Sequence, residues 1–369
     1  MKKTVMSKKK IEKFPKVYII VLNYNGWADT IECLESILRN DYPNYQVIVV
    51  DNNSSDNSME YIKAWAEGKL DVWVKVDHPL RRFSFPPVKK PIPYVCYTRK
   101  EAKKGGNSNL ENSLKLTVQP VRYLTNYPLV LIQTGENLGY AGGNNIGIRY
   151  ALAKDDFEYI WILNNDTIVS EDSLSSLVCC INETGAGAVG STIFFYKSPY
   201  EIQTTGVKVK RYFLRDVFSY RMIAEKIVRP RRVDSLVGCS FLIRKKVLKT
   251  VGLFDEQYFL YHEEADLFFR ASNSFKFFVS PESKVWHKYS ATTGGETSNT
   301  VVYYGTRNGF LFSKKHNPCW KHFLFIFLFF LRYYPVRVLK LFPKLSKLII
   351  YHKAILDGIR GRYGKAEIS

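Results

Sequence analysis

Two short polar stretches in the sequence carry the residues best suited to chemistry. The first, Asn164-Asn165-Asp166, follows an apolar run over residues 159–163 and offers one carboxylate with two amide oxygens. Oxygen ligands suit Mg²⁺ or Mn²⁺, which keep coordination sites for water and phosphates. For an isolated Asn-Asn-Asp, however, a polar turn or a helix cap is the commoner explanation. The stretch alone therefore leaves a cation site and a turn both open.

The second stretch supplies three carboxylates within four residues, at Glu263, Glu264 and Asp266. Adjacent carboxylates repel each other, so some should titrate at raised pH unless a cation lies near. A raised pKa suits a general base. A solvated helix start stabilised by the helix dipole explains the pattern equally well. His287 follows at the end of another apolar run and, taken alone, is more typical of a structural residue than of a ligand.

The order of apolar runs along the chain predicts the scaffold that would position these residues. Four apolar runs of strand composition end in polar residues, and segments with helical spacing lie between them. Strands that alternate with helices predict a parallel sheet with both faces covered. After residue 180 the runs are shorter and indicate partly antiparallel strands. We therefore predict an α/β fold with a Rossmann-like, mostly parallel central sheet, a smaller partly antiparallel part and C-terminal amphipathic helices.

Polar clusters at the ends of these strands are expected to meet at one edge of the sheet, where open α/β sheets bind ligands. They fall at residues 23–25, 51–56, 136–145 and 164–166. An acid that ends the second strand, such as Asp51, can bind a ribose hydroxyl or a base edge. A dinucleotide-binding fold would place G-x-G-x-x-G after the first strand, but Asn-Tyr-Asn-Gly stands there. The later glycines lack the spacing and the lysine of a P-loop, so they indicate only a close approach or a tight turn.

The net charge of +20 is confined to three segments. Lys and Arg outnumber Asp and Glu by seven to one in residues 1–16, by ten to two in 78–125 and by twelve to two in 314–369. The rest of the chain carries about −4, so the basic charge lies outside the predicted core. Nucleic acid or an anionic membrane could attract such segments. Six scattered Cys without a C-x-x-C pair argue against a zinc module or a disulfide framework and favour a reducing cytoplasm.

The same segments suggest how the chain is divided. We predict a basic N-terminal tail over 1–16, a main domain over 17–313 and a basic, aromatic helical region over 314–369. An insert at about 78–125, rich in Pro and then in Lys, Gly, Asn and Ser, is interpreted as a surface flap or, alternatively, as an acceptor or membrane contact. The N-terminus lacks the apolar run of a signal peptide. The longest apolar run, residues 323–331, is too short for a bilayer span of about 20 residues, so we expect the last region to lie in a membrane interface or to pack as a helical layer.

Taken together, these pieces resemble the family-2 inverting glycosyltransferases with a GT-A fold, and in particular the bacterial rhamnosyltransferase-like branch that builds surface polysaccharides. The resemblance covers roughly residues 17–77 and 129–313. The segments that carry it, in family order, are VYIIVLNYNG, VIVVDNNSSDNS, GENLGYAGGNNIGI, YIWILNNDTIV, GCSFLIRKKVLKTVGLFDEQYFLYHEEADLFFRA and WHKYSATTGG.

This resemblance implies roles for individual residues. Glu264 matches the second acid of the family's Glu-Asp pair and would be the catalytic base, with Glu263 beside it. Asp166 matches the last acid of the metal-binding D-x-D, and His287 falls where some relatives place a further metal or diphosphate contact. Asp266 and Arg307 are assigned to acceptor or diphosphate contact. The residues implied for nucleotide-sugar binding are Asn23, Asp51, Asn53, Asn137, Gly142, Gly143, Asn144, Asn164 and Asn165.

The mechanism implied is a single displacement that inverts the anomeric carbon, assisted by Mg²⁺ or Mn²⁺. The donor would be a nucleotide-diphosphate sugar, with dTDP-rhamnose the first candidate and UDP-hexoses the alternative. The acceptor would be a glycan or a lipid-linked glycan, and the protein would be peripheral on the cytoplasmic face of the inner membrane, with no nucleic-acid partner. Three departures from the family pattern are Asn164 in place of an acid, Glu264 in place of Asp, and the insert at about 78–125, which the minimal family pattern lacks. A nucleotidyltransferase, a non-catalytic relative and a nucleic-acid-binding protein remain as other interpretations.

Overall fold

One large mixed sheet organises the molecule. The computed structural model describes residues 14–115, 127–209, 220–288, 298–342 and 344–368. Within these ranges eleven strands form a single sheet, and two more form a separate antiparallel pair. The thirteen strands are β1 Val17–Asn23, β2 Tyr45–Asp51, β3 Tyr94–Thr98, β4 Leu129–Gln133, β5 Tyr159–Asn164, β6 Thr167–Val169, β7 Ala188–Phe195, β8 Ile202–Thr204, β9 Val207–Val209, β10 Tyr220–Met222, β11 Arg231–Val233, β12 Ser240–Arg244 and β13 Phe277–His287.

The first half of the sheet is parallel and the second half is mixed, as predicted. The strand order is β11-β13-β7-β12-β5-β1-β2-β4-β3, with β6 paired to β13 and β8 to β7. Pairing is parallel from β5 through β1, β2 and β4 to β3, whereas β12 runs antiparallel to β5 and β7. β1 and β2 are almost wholly buried because covered parallel strands need apolar side chains on both faces.

Helices cover both faces of this sheet. In the described ranges they are α1 Trp27–Ile37, α2 Ser58–Ala66, α3 Arg99–Lys103, α4 Ser108–Ser113, α5 Gly139–Lys154, α6 Ser173–Thr184, α7 Lys245–Val251, α8 Glu263–Ala271, α9 Asn299–His316, α10 Cys319–Leu328, α11 Tyr334–Leu341 and α12 Leu345–Arg360. One core cluster packs α1, α2 and α6 on the sheet, and a second packs α5, α7 and α8 on the opposite face. The α/β prediction is therefore confirmed.

A third core cluster belongs to the C-terminal helices. It joins α9, α10 and α12 to the segment just before α8. α10 and α11 are linked by a π-helical turn at Phe329–Tyr333 and form one continuous helical rod. None of the helices in the described ranges combines the length and the apolar character needed to cross a bilayer.

Two local expectations differ from the structure. The insert is not only a surface flap, because β3 within it pairs with β4 as the edge strand of the sheet. α9 runs across the domain boundary expected between residues 313 and 314. Elsewhere, α5 begins at Gly139, and β13 is one strand with an irregularity after Ser280.

The insert is anchored by a buried carboxylate. Glu35 on α1 is fully buried, and its oxygens accept from Lys90 Nζ at 2.5 Å and from the Val88 amide at 2.8 Å, both in the insert. Arg39 and the Trp65 indole also donate to Glu35. These contacts fix the first part of the insert against α1 and α2. Residues 1–13 of the predicted tail, 116–125 of the insert and 289–295 of the last family segment lie outside the described residues.

Candidate active site

The site is built at the point where the strand order reverses. In the sheet, β2, β4 and β3 lie on one side of β1, whereas β5 lies on its other side. Asn23 ends β1 and Asn164 ends β5, so the crevice between these carboxyl ends is the switch point at which open α/β sheets bind ligands. The Asn-Asn-Asp stretch leaves β5 at this crevice.

Strand pairing holds Asp166 and His287 side by side. Thr167 at the start of β6 pairs with His287 at the end of β13, and the Lys288 amide donates to the Asp166 carbonyl at 2.9 Å. The His287 Nε2 then lies 3.2 Å from Asp166 Oδ1. On the other side of the ring, Nδ1 lies 3.3 Å from Gln203 Oε1.

Asp166 is a buried carboxylate that remains ionised at neutral pH. Burial by itself would raise the pKa of Asp166, but the charge of His287 and its hydrogen bond hold that pKa below its ordinary value. The side chain of Asn164, by contrast, is half-buried at the end of β5.

The pair of Asp166 and His287 fits two ligands of a divalent cation. Two cis ligands of an octahedral ion with bonds of about 2.1 Å lie roughly 3 Å apart, close to the 3.2 Å between Oδ1 and Nε2. Mg²⁺ and related ions usually take few protein ligands and complete their shell with water and phosphate oxygens. Within the described ranges, no three His, Cys, Asp or Glu side chains converge as a complete metal site. The donor would therefore have to supply the remaining ligands.

Asn23 and Asn165 lie beneath the crevice and support its carboxylates. The buried Asn23 amide donates to Asp51 Oδ1 at 2.7 Å, and its oxygen accepts from Thr30 at 2.8 Å and from Asn165 at 3.3 Å. The Ser54 hydroxyl donates to the same Asp51 oxygen at 2.6 Å. Asp51 also borders a cavity of about 240 Å³ between the start of α2 and the ends of β3 and β4. The predicted base-binding acid is thus held in one orientation by its neighbours.

The start of α5 is held against the strand ends by Asn52, which the sequence analysis did not single out. Its amide donates to Asn137 Oδ1 at 3.1 Å and to the Gly139 carbonyl at 3.1 Å, while its oxygen accepts from the Leu138 amide at 3.0 Å. Asn53, predicted as a ligand, is exposed with a positive φ of 63°. The sequence signal for Asn52 was its position between Asp51 and Asn53, which were both predicted to bind the nucleotide sugar.

The glycines at the start of α5 serve close packing. A Cβ on Gly143 would lie 2.5 Å from Leu22 at the end of β1, and one on Gly142 would lie 2.7 Å from the Leu138 Cβ. Asn144 is buried and donates to the Tyr140 carbonyl at 3.0 Å. Gly143 therefore lets the start of α5 approach β1 closely, and Gly142 and Asn144 pack within the turn that begins the helix. Nucleotide-sugar binding by these three residues stays a prediction.

Glu263 and Glu264 lie in the first turn of α8, with Glu263 buried and Glu264 half-buried. The Oε2 atoms of both are buried without a hydrogen-bond partner in the described part of the chain. Burial raises the pKa of Glu263 well above its ordinary value, and the neighbouring Glu264 raises it further. Burial likewise raises the pKa of Glu264. A carboxyl group with a raised pKa suits the role of a general base.

Cys239, at the start of the turn into β12, links the two parts of the site. Its carbonyl accepts from the Asn164 amide at 3.0 Å. Burial raises the pKa of the Cys239 thiol, and the carboxylates of Asp166 and Glu264 raise it further. A Cβ on the adjacent Gly238 would lie 3.7 Å from Glu264 Cδ. The structure thus brings Asp166, His287 and Glu264 into one region around Cys239.

Asp266 and Arg307 have structural contacts, contrary to the assignment to acceptor or diphosphate. Asp266 is fully buried and accepts from Arg270 at 2.7 Å, Lys315 at 2.6 Å and His316 at 2.8 Å. Arg307 is 1% exposed, and its guanidinium donates to backbone carbonyls and to the Asn308 side chain. The polar groups of both residues are thus engaged in contacts within the protein.

Comparisons with known proteins agree with this geometry. The protein-family model "Glycosyl transferase family 2" matches residues 18–79 and 112–252 of this chain. The low-salt glycan biosynthesis hexosyltransferase Agl10 of Haloferax volcanii is 27% identical over 146 residues, which is 38% of this chain and 45% of that protein. The dTDP-rhamnosyl transferase RfbF of Shigella flexneri is 24% identical over 195 residues, which is 51% of this chain and 64% of that protein. The chain thus spans 45% and 64% of the length of these relatives.

A solved structure supports the fold. GalNAc-T7, crystallised with UDP, GalNAc and Mn²⁺, superposes with a TM-score of 0.51 at 13% identity, over 80% of this chain and 48% of that one. This likeness confirms the predicted GT-A fold. Because the family match covers more than half of the sequence, the chain belongs to glycosyl transferase family 2.

Proposed function

We propose that this protein is a divalent-metal-dependent, inverting glycosyltransferase that moves a sugar from a nucleotide-diphosphate donor to a glycan or lipid-linked acceptor. The observation that carries the proposal is the arrangement around Cys239. Asp166 lies 3.2 Å from His287 and follows Asn164, whose backbone amide donates to the Cys239 carbonyl, while Glu264 lies close to the adjacent Gly238. In one crevice, a cation held by Asp166 and His287 would neutralise the charge of the leaving diphosphate, and Glu264 would accept the proton.

Glu264 is the proposed base. It would take the proton from the acceptor hydroxyl as that oxygen forms a bond to the anomeric carbon. On the opposite face of the sugar the bond to the nucleoside diphosphate breaks, and its electron pair leaves with the diphosphate. One displacement without a covalent intermediate inverts the anomeric configuration. The charge of Glu264 raises the pKa of the neighbouring Glu263, so Glu263 would keep its proton while Glu264 acts as the base.

Asp166 and His287 are the proposed metal-holding residues, with Asn164 at the edge of the site. A bound Mg²⁺ or Mn²⁺ would supply charge neutralisation for the leaving diphosphate. Asp51 would hold the nucleotide base, oriented by Asn23 and Ser54. The buried Asn165 and the start of α5 would then shape the remainder of the donor pocket.

For the donor we propose dTDP-rhamnose first, with UDP-hexoses as the alternative. The relative named a dTDP-rhamnosyl transferase supports the first, and the relative named a hexosyltransferase keeps the second open. The test is a thermal unfolding screen with dTDP- and UDP-sugars, with and without Mn²⁺, because a ligand that binds only the folded protein raises Tm. We expect a nucleotide sugar to raise Tm only when Mn²⁺ is present. Equal Tm values with every donor would contradict the proposal.

We also propose that the C-terminal helices place the enzyme on the cytoplasmic face of an anionic inner membrane. Residues 319–360 contain eight Lys or Arg against one acid. Apolar side chains on the surface of these helices are between 40% and 75% exposed, at Trp320, Phe323, Phe327, Phe330, Leu331, Val336, Leu339, Phe342, Leu345, Ile349, Leu356 and Ile359. Exposed apolar residues with basic neighbours are typical of helices that lie in a membrane interface.

Co-sedimentation with vesicles tests this membrane proposal on the full chain. The doubly substituted variant Phe327→Glu with Leu331→Glu removes two side chains that are 62% and 65% exposed. Burying one such side chain contributes about 1.5–3 kcal/mol, so vesicle affinity should fall by at least about tenfold. Trp73→Glu is the control, because Trp73 is 84% exposed but lies outside the C-terminal helices. Equal partitioning of the double variant, the control and the unmodified protein would contradict membrane contact by this surface.

A further inference from the structure

The segment that leads into α8 has an unusual backbone conformation. Phe259, Tyr261 and His262 have positive φ angles of 63°, 67° and 73°. Residues with a Cβ rarely adopt this left-handed region and keep it only where their surroundings enforce it. His262 directly precedes Glu263 and Glu264, so whatever enforces this conformation also sets where the two carboxyl groups lie.

Asn308 on α9 binds this segment through one side-chain amide. Its Nδ2 lies 2.9 Å from the Tyr258 carbonyl, 2.8 Å from the Leu260 carbonyl and 2.8 Å from the Tyr261 carbonyl. Asn308 is fully buried, and its oxygen accepts from Arg307 Nε at 3.0 Å and Nη2 at 2.9 Å. Its amide hydrogens are therefore directed at the loop and its oxygen at the guanidinium.

Arg307 reinforces the same loop and connects it to the end of the chain. Its Nη2 donates to the Tyr258 carbonyl at 3.2 Å, and its Nη1 donates to the Gly364 carbonyl at 2.6 Å. The Gly364 amide in turn donates to the Gln257 carbonyl at 2.7 Å. The planar guanidinium with its five N–H groups can make these contacts at once, which an ammonium cannot.

The other side of the loop contacts the start of α5. The Ala141 amide donates to the Phe259 carbonyl at 3.3 Å, and a Cβ on Gly139 would lie 2.2 Å from the same carbonyl oxygen. The loop is therefore fixed between α9 and α5, and α8 with its two carboxyl groups starts from it.

We propose that Asn308 and Arg307 are positioning residues that hold the loop over 258–262, and through it Glu263 and Glu264, in the geometry required for transfer. The proposal rests on the proposed function, because it assigns these residues to the same site. It replaces the diphosphate or acceptor contact that the sequence suggested for Arg307. Neither residue touches the substrate; both act through the backbone of the loop.

Asn308→Asp tests this inference, because it replaces the amide donors with a carboxylate that faces three carbonyls. The shape of the side chain changes little. Arg307→Lys is the second variant, which keeps the charge and loses the planar fork. Ser313→Ala is the matched control on the same helix. It removes a buried hydroxyl that lies 3.1 Å from His322 Nδ1 on α10, away from the loop over 258–262.

Two measurements are made on the full chain. Hydrogen–deuterium exchange of the free protein should show faster exchange across residues 257–266 in Asn308→Asp and Arg307→Lys, and no change there in Ser313→Ala. Because small misplacement of reacting groups costs up to about 10²-fold in rate, kcat should fall by about tenfold or more in both variants.

The outcomes separate this inference from the proposed function. Unchanged exchange across 257–266 in both variants would overturn the positioning role, whatever the activity. Faster exchange with unchanged kcat would also overturn it, because the loop would then not control the reaction. If the unmodified protein transfers no sugar from any donor, the proposed function fails, and exchange still decides whether Asn308 and Arg307 hold the loop.

Discussion

Replacing Glu264 by Gln is the sharpest perturbation of the proposed site. The amide keeps the size of the side chain but cannot accept a proton from an acceptor hydroxyl. General-base catalysis contributes roughly 10²–10⁴-fold, so kcat should fall by about that factor. Nucleotide release in the presence of acceptor measures it, and donor affinity should not change. Glu282→Gln is the control, because Glu282 is an exposed carboxylate on β13.

The pH dependence should identify the same residue. Burial raises the pKa of Glu264, and burial together with the Glu264 charge raises that of Glu263. A base acts only when deprotonated, so kcat of the unmodified protein should increase with pH through an apparent pKa above the ordinary Glu value of 4.5. This pKa belongs to the coupled pair. The residual activity of Glu264→Gln should lack that rise.

Stability should change in the opposite direction to activity. A carboxyl group whose pKa is raised by folding stabilises the protein below its unfolded pKa, and this contribution is lost as pH rises through the folded value. Each unit of raised pKa corresponds to about 1.4 kcal/mol. Glu264→Gln removes one such group and the charge beside Glu263, so its Tm should fall less between pH 5 and pH 8. Full activity in this variant, or a Tm that falls as steeply as in the unmodified protein, would refute the reasoning.

Three further changes test other parts of the structure. Asp166→Ala should abolish the Mn²⁺-dependent rise of Tm with a nucleotide sugar, and an undiminished rise would exclude Asp166 as a ligand. Gly139→Ala should destabilise the protein more than Gly135→Ala in chemical denaturation. Both have positive φ, 69° and 78°, but only the Cβ at 139 meets a carbonyl oxygen at 2.2 Å, whereas the one at 135 meets nothing within 4 Å. Glu35→Ala should cost about 3–5 kcal/mol because it leaves two buried cations unpaired. Glu67→Ala, which breaks an exposed pair, should cost at most about 1 kcal/mol, and equal losses would contradict the anchoring role of Glu35.

The strands and their order of appearance could be predicted because their composition reflects burial directly. Residues 17–21 and 45–50 are buried on both faces, and only apolar runs satisfy that environment. β3 was missed because it is a five-residue edge strand with alternating exposure, preceded by prolines that suggested a loop. A short, half-exposed strand has little hydrophobic signal, and its pairing with β4 is decided by tertiary contacts.

Candidate carboxylates could be located from their place at strand ends, but their supporting contacts could not. Asp166 and His287 are 121 residues apart in sequence, and only the pairing of β6 with β13 brings them together. Asn308 gave no sequence signal apart from its position next to Arg307. Its role depends on backbone carbonyls some 50 residues earlier, whose direction is set by positive φ angles that the residue types do not indicate.

The most direct test of the account is calorimetric titration of the best-protecting nucleotide sugar, in Mn²⁺, into the unmodified protein, Asp166→Ala and Glu264→Gln. We predict the same affinity for the unmodified protein and Glu264→Gln, and none measurable for Asp166→Ala, since only Asp166 is assigned to the donor side. Equal affinity in all three, or loss of binding in Glu264→Gln alone, would contradict the assignment of a metal-assisted donor site and a separate base.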